Sequence, residues 1–371
     1  MIVGVPKEIK TEEYRAGMVP GGVKKLIERG HKVLVEKGAG IGSGLPDKMY
    51  RAVGAKIVDS AKSIWADAEL IVKVKEPIKN EYELIRENQI VYTYLHLAAD
   101  KTLTEKLMEK KCIAIGYETI QKPDGSLPLL KPMSEVAGRM SIQVGAATLE
   151  KAHGGKGLLL GGVPGVRQGR VSIIGAGVVG MNACKMAVGT GANVDILDID
   201  LDTLNYIDDI FLGRVTTLFS DAETIRQSVS MADLVVGAVL IPGAKAPNLV
   251  PKELVAEMED GSVVVDVAVD QGGCIETSAP TTHDKPTFVK HGVVHYGVTN
   301  MPGAVAQTST FALTNTTIGY ATLLADLGAE KAAKADPALA LGVNVYKGSI
   351  TCEPVASSLS LPHRPLNELI D

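Results

Sequence analysis

Aromatic residues are scarce in this chain, and its cysteines form no paired motif; the first observation favours one kind of fold, and the second excludes two kinds of site. Only 4% of the 371 residues are aromatic, whereas valine, isoleucine, alanine and glycine are plentiful. That balance is typical of buried parallel strands covered by helices. Cys112, Cys184, Cys274 and Cys352 form no C-x-x-C pair, so we expect buried small hydrophobic residues and neither a disulfide framework nor a metal site.

Clustered positive charge and long apolar runs are also missing. The formal net charge is −5 without a long basic run, so no nucleic-acid partner is expected. No run of about 18 apolar residues could span a bilayer, and the first ten residues, MIVGVPKEIK, lack the features of a signal peptide. We therefore expect a cytoplasmic protein without a membrane partner. The hydrophobic content of 46% is enough for one to three packed domains.

The most specific local pattern lies between Arg170 and Asp200. A short β-branched strand leads into the loop GAGVVG, which has the order G-x-G-x-x-G, and then into a helix-like segment. Gly175 permits the tight turn, Gly177 lets a pyrophosphate approach the backbone, and Gly180 lets the helix pack closely on the strand. Glycine-rich turns also close ordinary βα units, so the loop alone is weak evidence of a dinucleotide site.

The segment after this loop indicates which dinucleotide would bind. A second strand, Asn193 to Leu197, ends at Asp198, about 20 residues further on, where an acidic side chain can accept hydrogen bonds from the adenosine ribose hydroxyls. The pyrophosphate would meet the positive end of the helix dipole. Because Asp198 and Asp200 would repel a 2′-phosphate, we predict NAD rather than NADP.

The order of strand-like and helix-like segments predicts the fold class. Residues 1–130 alternate between the two, which indicates a parallel sheet with crossover helices, and about six strands in the nucleotide region fit a doubly wound sheet. Residues 330–371 have no strand partners of their own, so we expect the tail to return to the first domain. The prediction is an α/β protein of two Rossmann-like doubly wound parallel-sheet domains, separated by a cleft and linked by long crossing helices. The predicted domains are a discontinuous substrate domain, 1–130 and 309–371, and an NAD-binding domain, 131–308; the crossing helices are Ser134–His153 and one that begins at Ser309.

Several polar residues occupy positions where open α/β sheets present ligand groups, and each has an ordinary structural interpretation as well. Lys75 closes the strand-like LIVKVK, where a lysine is often simply solvated. His96 ends IVYTYLH and could exchange a proton near neutral pH, but a core histidine bonded to backbone fits equally, and His295 also stays open. Asp270 precedes two nearby glycines, where it could instead cap a turn. The planar fork of Arg15 suits a carboxylate, yet alone it is a surface arginine.

Together these segments resemble the NAD-dependent alanine dehydrogenases, a family that includes the transhydrogenase α-subunit, over essentially the whole chain. The motifs that carry the resemblance are, in order, GVPKEIK, VKEP, YLHLAA, PMSEVAGRM, GAGVVG, VLIPGAKAP, VDVAVDQGGC and NMPGAV. The chain departs from the family pattern at Ala306-Gln307 and Arg167-Gln168, both near expected domain crossings, so their effect on domain closure stays open.

The resemblance implies reversible oxidative deamination of L-alanine to pyruvate and ammonium, with NAD as cofactor, in a two-domain subunit that usually assembles as a hexamer. Carried over residue by residue, it makes Arg15 and Lys75 the holders of the substrate carboxylate and carbonyl, His96 the acid/base, and Asp270 the group for the water and ammonia steps. The implied cofactor-binding residues are Ser134, Gly175, Ala176, Gly177, Val178, Val179 and Gly180 for the pyrophosphate, Asp198 for the ribose, and Val239, Leu240, Asn300 and Met301 for the nicotinamide pocket.

Two other functions stay open at this point. The chain could be another amino-acid dehydrogenase, such as one that acts on saccharopine. It could also be the soluble NAD(H)-binding component of a proton-translocating transhydrogenase, which works only with membrane partners. A hydride-carrier module need not have both His96 and Asp270, and turnover of alanine by the isolated chain would separate the two classes.

Overall fold

The computed structural model describes residues 1–239, 246–269 and 272–370. The chain divides into two compact units. Unit 1 comprises Met1–Met133 and Gly303–Asp371, and unit 2 comprises Ser134–Pro302. The divisions therefore fall after residues 133 and 302, whereas the sequence placed them after residues 130 and 308.

Each unit contains one sheet, and the strands are numbered in chain order. The strands of unit 1 are β1 (Ile2–Val5), β2 (Lys32–Glu36), β3 (Lys56–Val58), β4 (Leu70–Val72), β5 (Ile90–Thr93), β6 (Ile113–Gly116), β14 (Val343–Tyr346) and β15 (Ser349–Ile350). The strands of unit 2 are β7 (Arg170–Ile174), β8 (Asn193–Asp198), β9 (Thr216–Phe219), β10 (Leu234–Gly237), β11 (Val263–Asp266), β12 (Thr287–Lys290) and β13 (Val293–Tyr296).

Both sheets are mainly parallel, which confirms the predicted fold class. The first sheet has the order β15-β14-β6-β5-β4-β1-β2-β3, and only β14 and β15 run antiparallel to their neighbours. The second has the order β12-β13-β11-β10-β7-β8-β9, in which β12 alone is antiparallel. In the second sheet the chain starts centrally at β7 and winds outward in both directions, the doubly wound arrangement that brings two strand ends together at a switch point.

Helices flank both sheets, and their apolar faces complete the cores. They are α1 (Pro20–Glu28), α2 (Asp47–Ala52), α3 (Ala61–Asp67), α4 (Lys101–Glu109), α5 (Lys131–Thr148), α6 (Val178–Gly189), α7 (Leu201–Phe211), α8 (Ala222–Ser230), α9 (Lys252–Glu257), α10 (Ala306–Ala335), α11 (Pro337–Gly342) and α12 (Glu353–Leu359). In unit 1, Trp65 of α3 packs with Val91 and Leu107, and in unit 2, Val235 packs with Val255. Strands β4, β5, β10 and β11 are buried throughout, as their continuous apolar sequences require.

The tail differs from the sequence-based expectation. It contains β14 and β15, which pair with each other, so the expectation that residues 330–371 have no strand partners of their own is wrong. Strand β14 also pairs antiparallel with β6, and the tail thereby joins the sheet of unit 1. The two strands are only four and two residues long, too short for a clear periodic pattern. A signal was nevertheless present: Lys347-Gly348 forms the two-residue turn, and both residues have positive φ, as in a type I′ hairpin.

The two predicted crossing helices also have different bounds. Helix α5 begins at Lys131 and ends at Thr148, so Ser134 lies inside its first turn and does not cap it. Helix α10 runs from Ala306 to Ala335 and is interrupted at Gly328, whose φ of 73° is not helical. No helix in the part of the chain that the structure describes is long and apolar enough to cross a membrane.

Candidate active site

In unit 1, two of the predicted site residues follow neighbouring parallel strands. Strand β4 ends at Val72 and β5 at Thr93, so Lys75 and His96 each lie a few residues beyond a strand end, where the prediction had them closing the strands. The ladder continues past the regular strands, since Lys73 N–H donates to the Tyr92 carbonyl at 3.1 Å. Because β4 and β5 are parallel, both segments leave the sheet at its carboxyl edge.

Arg15 is buried and bound to Glu13. Its Nε and Nη2 each donate to one oxygen of the Glu13 carboxylate at 2.6 Å, and Nη1 contacts the Met133 sulfur at 3.2 Å. Burial disfavours the charge on Glu13, but the hydrogen bonds and charge of Arg15 outweigh it and lower the pKa of this carboxyl. Arg15 is thus a fixed guanidinium whose charge is already balanced, where the sequence alone allowed a surface residue.

Lys75 supplies positive charge beside this neutral pair. Its side chain is partly buried, and burial first, then the charge of Arg15, lowers the pKa of its ammonium group. That coupling places the two cations within electrostatic range of each other. A bound carboxylate would relieve the repulsion, because an opposite charge favours the protonated amine.

Lys73, two residues before Lys75, belongs to a buried cluster of three charges. Its Nζ lies 2.9 Å from Glu81 Oε1 and 3.2 Å from Glu8 Oε2, and all three side chains are at most 3% exposed. Burial favours the neutral amine, but the two carboxylates outweigh it and raise the pKa of Lys73. Glu8 Oε1 also accepts the backbone N–H groups of Val74 at 2.6 Å and Lys75 at 3.3 Å, so the cluster holds the segment that carries Lys75.

His96 has an exposed ring and an unusual backbone. Its φ of 51° and ψ of 35° are left-handed, and its N–H donates to Glu118 Oε1 at 2.6 Å. The ring stacks on Tyr94 with centroids 5.8 Å apart and planes at 12°. The core interpretation of His96 is therefore wrong, whereas it fits His295, which is 1% exposed and bonded to Thr277 at 2.6 Å.

In unit 2, the glycine loop follows β7 and opens α6. Gly175 has φ of 99°, which favours glycine, and a Cβ on Gly180 would lie 1.8 Å from the Gly175 carbonyl oxygen. Gly177 precedes the first helical residue, Val178, and a Cβ there would meet no atom within 4 Å. The loop thus packs closely on neighbouring atoms at Gly175 and Gly180 and leaves open space at Gly177. A pyrophosphate needs such a space in order to approach the backbone.

Asp198 ends β8 and is bonded to the glycine loop. One carboxylate oxygen accepts the Ala176 N–H at 2.6 Å, and the other accepts the Asp200 N–H at 3.0 Å. Each carboxylate oxygen has a second lone pair, so the side chain can still accept from a ribose hydroxyl. Asp200 caps α7 by accepting the Asp202 N–H at 3.1 Å.

The other cofactor-binding candidates fall into three groups. Val179 lies in the first turn of α6, and Val239 lies two residues past β10, where its side chain would be only 2.9 Å from a Cβ on Gly175. Asn300, with φ of 58°, precedes the buried Met301 at the end of unit 2. The third candidate position, Leu240, and the catalytic candidate Asp270 lie outside the described residues.

Sequence reasoning missed an acidic residue at the end of β11. Asp266 is 1% exposed, and it accepts the N–H groups of Ala268, Cys274 and Ile275 at 3.1 to 3.2 Å. Burial raises the pKa of Asp266 above its ordinary value. An aspartate inside the apolar run VVVDVAV was the available signal, since a buried carboxylate needs hydrogen-bonding partners.

Comparison with known proteins agrees with this arrangement. The family model described as alanine dehydrogenase/PNT, N-terminal domain, matches residues 4–137, and the C-terminal domain model matches residues 141–353. The chain belongs to the alanine dehydrogenase/PNT family. It is 55% identical over 372 residues to the alanine dehydrogenase of Methanococcus maripaludis, with full coverage of both chains.

Solved structures extend the comparison. A structure of L-alanine dehydrogenase has a TM-score of 0.95 and 52% identity, and the match covers 97% of this chain and 99% of that one. A transhydrogenase from Sinorhizobium meliloti has a TM-score of 0.81 at 23% identity, with 95% and 99% of the two chains covered. The second likeness is a likeness of fold alone.

Proposed function

We propose that this chain is an NAD-dependent L-alanine dehydrogenase, which converts L-alanine, NAD⁺ and water reversibly to pyruvate, ammonium, NADH and a proton. The observations that support this most strongly are a buried arginine with a nearby lysine in unit 1 and a glycine loop between a strand and a helix in unit 2. Full-length sequence identity of 52% to 55% to proteins named alanine dehydrogenase supports the same choice. The substrates are small molecules, and we expect the chain to act as a homo-oligomer, a hexamer by its family resemblance.

The proposed substrate site uses the charges of unit 1. Glu13 fixes the guanidinium of Arg15 through Nε and Nη2, and this guanidinium would contact the substrate carboxylate. The Glu13–Arg15 pair is neutral, and Lys75 therefore supplies the net positive charge. Two cations at fixed positions orient a small α-keto or α-amino acid, which lowers the entropic part of the barrier.

The proposed cofactor site uses the glycine loop. Gly175 to Gly180 and Ser134 would hold the pyrophosphate, Asp198 the ribose, and Val239, Leu240, Asn300 and Met301 the nicotinamide. The open space at Gly177 and the start of α6 fit this group, since the first amides of a helix lack intrahelical partners. When bound, NAD⁺ supplies the acceptor for the hydride of the substrate Cα.

The remaining chemistry consists of proton transfers, which we assign to His96 and Asp270. The exposed imidazole of His96 can take up or release a proton as water adds to the substrate carbon and ammonia leaves. Asp270 would polarise the attacking water, on the strength of its place in the sequence. His96→Ala and Asp270→Asn should each lower kcat by about 10²- to 10⁴-fold while NADH binding stays near that of the wild type.

A substrate panel tests the function. The purified chain is assayed for NADH formation from NAD⁺ with L-alanine, L-serine, glycine and saccharopine, and for NADH oxidation with pyruvate and ammonium. We expect L-alanine to give the highest kcat/KM. Faster turnover of saccharopine would assign another amino-acid dehydrogenase, and NADH binding without turnover of any amino acid would favour the transhydrogenase component.

A further inference from the structure

His96 adopts a backbone conformation that an ordinary residue does not keep without support. Its φ of 51° lies in the left-handed region, where the Cβ crowds the backbone and a non-glycine residue is strained. The residue is exposed, so burial in the core does not account for this conformation. Such strain persists only where the surrounding structure holds the residue in place.

Glu118 provides that support. Its Oε1 accepts the N–H of His96 at 2.6 Å and of Leu95 at 3.1 Å, and its Oε2 lies 3.2 Å from the Leu95 nitrogen. Glu118 lies in the short 3₁₀ turn Tyr117–Thr119, directly after β6, which pairs in parallel with β5. Bonds to an ionised carboxylate are stronger than neutral ones, so this contact can offset the backbone strain.

The same turn also supports the ring of His96. Tyr117 meets the ring of Tyr94 edge-on at 5.0 Å, and Tyr94 stacks against the His96 imidazole. The Tyr94 hydroxyl donates to the Leu129 carbonyl at 2.6 Å, which fixes the stacking surface. Backbone and ring of His96 are therefore both held from the end of β6.

We propose that Glu118 is a positioning residue, which fixes the backbone of His96 so that its imidazole meets the substrate at the reacting carbon. The proposal rests on the function and on the role of His96 proposed above. Lys75 shows the same device, because Glu8, which follows β1, accepts the N–H groups of Lys75 and of the residue before it. In both cases a carboxylate that follows the adjacent strand accepts backbone N–H groups from the segment that carries the proposed site residue.

The test compares Glu118→Ala with Glu118→Gln in the full-length protein. The alanine variant loses the acceptor, and we expect kcat for the reductive amination of pyruvate to fall by about 10- to 100-fold, since a displacement of about 1 Å can cost 10²-fold. The NADH dissociation constant should change less than twofold. Glutamine keeps an amide oxygen where Oε1 accepts both N–H groups, and it should restore kcat to within about threefold of the wild type.

Asp221→Ala is the matched control. Asp221 accepts two backbone N–H groups at 2.9 Å, but it caps α8 in unit 2 and has no proposed part in the site. It should lower Tm without changing kcat. If Glu118→Ala fails to fold, Glu118→Asp replaces it, because it keeps the charge but shortens the reach, and the same loss of kcat is expected.

Three results would overturn the proposal: wild-type kcat in the alanine or aspartate variant, failure of glutamine to restore kcat, or an equal loss of kcat in Asp221→Ala. Each of these presumes a wild-type chain that catalyses the reductive amination of pyruvate. A wild-type chain without this activity would refute the proposed function itself.

Discussion

The two units hold their functional groups by different physical means. In unit 1 the proposed site residues are Arg15, Lys75 and His96, and each is fixed by an acidic partner: Glu13 for Arg15, Glu8 for the segment of Lys75, and Glu118 for the segment of His96. In unit 2 the main device is close backbone approach, which requires glycine at Gly138, Gly175 and Gly180. A carboxylate contributes there as well, because Asp198 at the end of β8 accepts the N–H of Ala176 in the glycine loop.

The difference follows from what each unit is proposed to bind. A substrate of a few atoms offers little surface, so its recognition must come from a few strong charged contacts whose positions are fixed beforehand. A dinucleotide is long, and its pyrophosphate can be bound by backbone amides and a helix terminus. Unit 1 should therefore be sensitive to changes of charge, and unit 2 to added volume at its glycines.

The largest predicted effect is the loss of the buried cation in unit 1. Lys73→Met removes the counterion of the Glu8 and Glu81 carboxylates, and both side chains are at most 3% exposed. We expect a loss of about 3–5 kcal/mol in the free energy of unfolding, measured by urea denaturation. Lys101→Met, which removes an exposed ion pair to Glu105 at 3.9 Å, is the control and should have almost no effect. Equal stability of the two variants would contradict the account.

A smaller effect is predicted for added volume in unit 2. Gly180→Ala places a Cβ 1.8 Å from the Gly175 carbonyl, so α6 must move away from the loop. We expect a loss of about 1–3 kcal/mol and weaker binding of NADH in a fluorescence titration. Gly189→Ala, where a Cβ meets no atom within 4 Å, should leave both unchanged or slightly raise stability. Tight NADH binding by Gly180→Ala would show that the close contact does not matter.

The smallest predicted effect depends on pH. Burial and the charge of Arg15 lower the pKa of the Lys75 ammonium group in the folded state. The unfolded chain therefore binds the ammonium proton more tightly than the folded one, and a protonated Lys75 lowers the free energy of unfolding. Lys75→Met should therefore raise Tm at neutral pH, by roughly 2 °C. The gain should shrink as pH rises toward the ordinary lysine pKa of about 10.4, where the unfolded state also loses the proton. Lys79→Met, an exposed neighbour, is the control. A gain that does not vary with pH would refute this explanation.

Much of the fold could be predicted from the sequence because it depends on local patterns. Apolar runs such as VVVD require buried strands, and the glycine spacing requires a turn between β7 and α6. Lys75 and His96 could be proposed from the sequence because each follows an apolar run, at the end of which the chain leaves the sheet.

The partners of these residues could not be predicted, because they depend on strand order. Glu118 reaches His96 only because β6 lies beside β5, and Glu8 reaches Lys75 only because β1 lies beside β4. The alternation of strands and helices along the chain does not show which strands are neighbours in the sheet. Strands β1 and β4, for example, are neighbours although two other strands separate them in the chain. Charged pairs between distant segments therefore required the structure.

The most direct test is a crystal structure of the protein soaked with NADH and pyruvate. The account predicts that the pyruvate carboxylate lies within hydrogen-bonding reach of Arg15 and Lys75, with its carbonyl oxygen at His96 and the nicotinamide ring facing its central carbon. Pyruvate bound away from Arg15 and Lys75, or His96 and Asp270 on opposite sides of the molecule in this complex, would contradict it.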